Sequence, residues 1–161
     1  MTKTQSFIQL VKHPVKFRMF LFKKLPSAFF AGVRIRYIDE ERCRVAIPYK
    51  WYTQNPFRST YFACLSMAAE MSTGALAMAH LYARNPSVSM LVVKVESEYF
   101  KKATGATIFE CDDGALIKQA IEESVRTGEP AVVRAASVGR NEKDETVALF
   151  YITWSFKAKS L

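Results

Sequence analysis

Thr60-Tyr-Phe-Ala-Cys-Leu-Ser-Met-Ala-Ala-Glu70-Met-Ser-Thr-Gly-Ala-Leu-Ala-Met-Ala-His80-Leu-Tyr82 is the stretch on which the fold turns. It is rich in Ala and Met, Glu70 is its only acid, and it holds no Lys or Arg. The composition predicts one long helix, apolar nearly all round, and such a helix in a globular protein is buried on most sides. Its small residues, Ala63, Ala68, Ala69, Gly74, Ala75, Ala77 and Ala79, let other backbones come close. Glu70 with Ser66, Ser72 and Thr73 interrupts it as a membrane span.

What surrounds this helix is mostly strand. Upstream, Val33–Ile38 and Arg42–Ile47 alternate apolar and basic residues around an Asp39-Glu40-Glu41 turn, the pattern of a hairpin with one buried face. Trp51–Ser59 reads as a loop. Downstream, strands are expected at 90–101, 107–111, 131–140 and 146–157, with a charged outer helix at 115–127 ended by Gly128-Glu-Pro130. Two short helices, 5–13 and 15–25, precede everything, joined at Pro14 and stopped by Pro26. The expected class is α+β: a long central helix wrapped by a curved antiparallel sheet, with a helical leader at 1–29 and the main domain at 30–161.

The 161 residues carry a formal net charge of +8. Lys3, Lys12, Lys16, Arg18, Lys23 and Lys24 all precede the first acid, Asp39, so the excess sits on the leader. A nucleic-acid role is not expected, because no base-stacking strand motif accompanies this charge. Contact of the basic, Phe-rich leader with a membrane surface is the alternative to its packing as a lid on the core. Three cysteines at irregular spacing predict neither a disulfide framework nor a zinc site, and no metal motif is found. With a polar start and no signal-peptide pattern, a cytoplasmic chain is expected.

The order of elements resembles the hotdog fold, and local sequence agrees. Asn55-Pro-Phe-Arg-Ser-Thr-Tyr-Phe-Ala-Cys-Leu-Ser-Met-Ala-Ala-Glu70 is similar to the loop-and-helix motif of hotdog acyl-CoA thioesterases. In those proteins an Asn or His precedes the helix and an acid lies within it. Glu98-Tyr-Phe-Lys-Lys-Ala-Thr-Gly-Ala-Thr-Ile-Phe-Glu110 resembles their strand–turn–strand, and Val147–Phe156 their closing strand. The similarity is greatest to a bacterial branch related to the phenylacetate-pathway type thioesterases. It implies an acyl-CoA or acyl-carrier-protein thioester as substrate or ligand, no cofactor, and a homo-oligomer, dimer or tetramer, with the site between subunits.

By this resemblance Glu70 and Asn55 are the catalytic candidates. Glu70 would be a general base, its pKa raised by the apolar helix around it, the alternative being a structural Glu satisfied by Ser66 and by a neighbouring chain in a dimer. Asn55 would orient the thioester carbonyl or a water, with an Asn-Pro turn role as the alternative. The amides of Tyr61 and Phe62 would form the oxyanion hole at the helix start. Ser66 and Thr73, at i−4 and i+3 from Glu70, share its face and would support it. Arg58, Lys101 and Lys102 would meet the phosphates of coenzyme A. His13 and His80 are assigned no catalytic part, His80 being read as a cation suited to the helix end. Where the family commonly has His-Gly-Gly, this chain has Thr60-Tyr61-Phe62. That departure favours a non-catalytic fatty-acyl or lipid-binding protein; Asn55 and Glu70 favour a hydrolase.

Overall fold

The computed structural model describes residues 1–159. Three helices open the chain: α1 (Lys3–Lys12), α2 (Pro14–Lys24) and α3 (Pro26–Ala31). Each start has a local cause. Thr2 and Gln5 form a reciprocal capping box on α1. His13 Nδ1 accepts from the Lys16 amide at 3.4 Å, and Pro14 sits at the first position of α2, where its missing N–H costs nothing. Pro26 plays the same part for α3, which closes on Gly32 in the left-handed conformation (φ 80°). The sequence reading of Pro26 as a stop was therefore incomplete: it ends α2 and begins a third helix.

The hairpin follows as β1 (Arg34–Ile38) and β2 (Cys43–Ile47). Asp39 Oδ1 holds its turn by accepting from the Glu41 and Arg42 amides at 2.8 and 2.7 Å. A 3₁₀ turn at Trp51–Thr53 leads to the long helix α4 (Phe62–Leu81). Then come β3 (Val88–Tyr99), β4 (Thr107–Cys111), α5 (Gly114–Thr127), β5 (Ala131–Arg140) and β6 (Thr146–Ala158). The six strands form one antiparallel sheet in the order β1-β2-β4-β5-β6-β3. Along β6 burial alternates, with Phe150, Ile152, Trp154 and Phe156 turned inward.

By length and composition α4 would cross a membrane, but its apolar surface is spent inside the protein. Leu65, Ala68, Ala69, Leu76, Ala77 and Ala79 are buried against the concave sheet and its neighbours. The leader covers part of the remainder: Phe7, Ile8, Val11, Phe17 and Leu21 belong to the same core. This is the expected hotdog arrangement, a central helix held in a curved sheet. The three thiols, Cys43, Cys64 and Cys111, are free and buried. Cys43 and Cys111 face each other across β2 and β4.

Candidate active site

Glu70 lies near the middle of α4, in the wall of a cavity of about 290 Å³ between that helix and the leader. Phe7, Phe17 and Leu21 come from the leader, Met71 and Met78 from α4, and Trp154 from β6. Among the described residues Glu70 is the only charged side chain in this wall. Burial raises its carboxyl above the ordinary glutamate value, because an apolar wall solvates the anion poorly.

The helix makes room for the carboxylate one turn on. A Cβ at Gly74 would stand 3.0 Å from Glu70 Oε1 and 3.3 Å from Trp154 Cζ2. Trp154 is itself fixed. Its Nε1 donates to Thr73 Oγ1 at 2.8 Å, and that hydroxyl donates to the Glu70 carbonyl at 2.9 Å. Gly74 and Trp154 were not among the sequence candidates. The signal for Gly74 was available, since a glycine at i+4 from the only acid of a helix lies directly beside it.

Ser66 and Thr73 do flank Glu70 in sequence register, but neither bonds its carboxylate. Ser66 Oγ donates to the Phe62 carbonyl at 2.9 Å, the usual return bond of a helical serine, and Thr73 is engaged as above. A Glu70 satisfied by Ser66 is thus corrected.

The other candidates, Arg58 excepted, line a second cleft, about 570 Å³, at the start of α4. Asn55, Tyr61, Phe62, Lys101 and Lys102 meet there. Asn55 acts as the turn residue. Its Oδ1 accepts from the Phe57 and Ser59 amides at 2.9 and 3.2 Å, and its Nδ2 donates to Ser59 Oγ at 3.0 Å. The Tyr61 amide is not free for an oxyanion, because it donates to the Thr53 carbonyl at 2.7 Å. The Phe62 amide, the first of the helix, has no such partner among the described residues. Lys101 Nζ pairs with Glu145 Oε1 at 2.7 Å, Lys102 Nζ reaches the Phe57 carbonyl at 3.5 Å, and Arg58 sits at a left-handed backbone position (φ 60°).

One chain does not unite the two groups. Glu70 lies eight residues beyond Phe62 on α4, about 12 Å of helix rise. The histidines stand apart from both. His13 caps α2, and His80 Nε2 lies 3.0 Å from the Glu40 carbonyl. Burial lowers the His80 pKa, which corrects its reading as a cation at the helix end. Among the described residues no three His, Cys, Asp or Glu side chains are placed to hold a metal ion.

The profile of a family described as "Domain of unknown function (DUF4442)" matches residues 15–155. No curated protein matches. Among solved structures, a Pseudomonas aeruginosa protein of unknown function described as a probable thioesterase shares 20% identity, with a TM-score of 0.76 over 91% of this chain and 97% of that one. A Chlorobaculum tepidum protein of unknown function shares 17%, with a TM-score of 0.75 over 94% and 96%. A Haemophilus influenzae thioesterase shares 11%, with a TM-score of 0.64 over 89% of each chain. At these identities the likeness is one of fold.

Proposed function

We propose that this chain, which belongs to the domain-of-unknown-function family DUF4442, is a hydrolase of acyl thioesters that uses Glu70 as its general base. One observation carries the reading: a single carboxylate, its pKa raised by burial, stands in the wall of an otherwise apolar cavity. An acyl chain suits such walls, and a carboxylate held above its ordinary pKa suits proton abstraction from water near neutral pH. The carrier is coenzyme A or an acyl-carrier protein, with Arg58, Lys101 and Lys102 toward its phosphates. Kinship with the phenylacetate-pathway type thioesterases belongs to this proposal.

The working unit in this reading is a homo-oligomer, at least a dimer. Two features support it. The 12-residue strand β3 is a sheet edge whose backbone is open on one side, and Leu91, Val93 and Val95 on it are more than half exposed. The α4 start of one copy would then be supplied beside Glu70 of another, which a single chain leaves about 12 Å apart.

The test is hydrolysis of acyl-CoAs of increasing length, followed by release of the coenzyme A thiol. Turnover that Glu70→Gln abolishes supports the hydrolase. The second reading, a non-catalytic acyl-binding protein, is favoured by the engagement of Asn55 and the Tyr61 amide in their own loop. It expects acyl-CoA or fatty-acid binding without thiol release.

A further inference from the structure

Another opening, about 350 Å³, lies between the leader and β1. Phe17 and Ile38 are among its apolar walls, while Lys12, Arg18, Arg34 and Arg36 give it positive charge from three separate elements. Among the described residues no Asp or Glu lines it.

Its arginines are treated differently from most others in the molecule. Arg42, Arg44, Arg126, Arg134 and Arg140 each hold a carboxylate. Arg18, Arg34 and Arg36 hold none among the described residues. Arg18 is anchored by the Phe29 and Val33 carbonyls at 3.2 and 3.4 Å, and its guanidinium lies 4.1 Å from the Phe29 ring centre. These contacts fix the group and leave its charge uncompensated. Burial, and then the neighbouring charge of Arg34, lower its pKa.

Backbone geometry adds to the case. The pairing of β1 with β2 slips between Ile35 and Tyr37, which makes Arg36 the extra residue of a bulge. Strict alternation would set neighbouring side chains on opposite faces. The bulge breaks that alternation at Arg36, and Arg34, Ile35, Arg36 and Tyr37 all line the opening, which runs along this edge strand.

We propose that this cleft is a binding site for a phosphate-bearing anion, held chiefly by Arg34 and Arg36 with Arg18 at its back. Guanidinium groups match phosphate oxygens through paired N–H donors, and a bound anion removes the repulsion among the unpaired cations. The shared chemistry is a phosphate group, carried by a small soluble molecule or by a phospholipid headgroup. The site stands apart from Lys101 and Lys102, and the inference does not rest on the thioesterase reading.

The test uses the full chain at low ionic strength, by calorimetric titration with inorganic pyrophosphate and by flotation with phosphatidylcholine vesicles with and without phosphatidylglycerol. The double variant Arg34→Gln, Arg36→Gln is expected to weaken binding about ten-fold or more, since hydrogen bonds to charged groups are the strong ones. Lys143→Gln, an exposed change on the β5–β6 turn away from both clefts, is expected to bind like the parent. Pyrophosphate binding without flotation identifies a soluble phosphate; flotation that needs phosphatidylglycerol identifies a headgroup. Both support the site only if the arginine variant loses them. If that variant fails to fold by circular dichroism, Lys12→Gln, an exposed change at the end of α1, replaces it with a smaller expected loss. Failure of both probes to bind, or binding that survives in the folded cleft variants, overturns the proposal.

Discussion

Glu70 carries the most direct predictions at the scale of the residue. Glu70→Gln is expected to lower turnover about 100-fold or more, the ordinary contribution of a general base, as read by acyl-CoA hydrolysis. The sign of its pH dependence follows from burial, which raises the native pKa above the unfolded one. The cavity favours the protonated carboxyl. That stabilisation is complete below the unfolded carboxylate pKa and lost as pH rises through the native value. The proposed general base acts in its ionised form, so on that proposal the acid limb of kcat/KM is expected above the usual glutamate position. Glu70→Gln, a mimic of the neutral acid, is expected to unfold at the same or higher denaturant concentration than the parent at pH 8. A clear loss of stability there would instead assign Glu70 a structural charge. A second prediction concerns Gly114, where a side chain would collide with the backbone of Glu40 and Glu41. Gly114→Ala is expected to cost about 1–3 kcal/mol in denaturant unfolding, as overpacking does. The burial of Glu70 could be read from the greasy helix around it. The engagement of Asn55, Ser66 and Tyr61 could not, because a sequence places hydroxyls and amides on a face without saying which carbonyl they find first.

The elements were legible in proportion to their punctuation. Thr107–Cys111 and Ala131–Arg140 have the same bounds in sequence and structure, since turn residues flank both and apolar side chains recur at every second position. The long helix was legible through its lack of charge. The third helix was not: six residues are too few to show a period, and Pro26 signals a stop and a start alike. The leader as a whole could be expected to pack or to lie on a membrane, and the structure packs its inner face on α4. Leu21, fully buried in that contact, offers the measure of its worth. Leu21→Ala is expected to destabilise the fold by about 2–5 kcal/mol in denaturant unfolding. It is also expected to open the Glu70 cavity, loosening any preference among acyl-chain lengths. An unchanged midpoint would show that the leader detaches at little cost.

For the whole molecule the decisive quantity is the number of copies in solution. Val95 pairs with inward-facing Ile152 across the β3–β6 ladder yet remains half exposed, so a lysine there would put charge on a surface a second copy is proposed to cover. The parent is expected to sediment as a dimer or larger at micromolar concentration, and Val95→Lys to shift it toward the monomer with loss of turnover. A monomeric parent would remove the shared site. One further property follows from where the fold has put its sulfur. All three thiols are buried; burial pushes Cys111 up to about 12 and raises Cys43 and Cys64 as well. Thiolates are the reactive form, so a chromogenic disulfide reagent should leave the native chain silent. Released coenzyme A would then be counted against a flat baseline. Each chain that opens fully would add three equivalents of its own, a fixed stoichiometry by which loss of structure announces itself in the same cuvette.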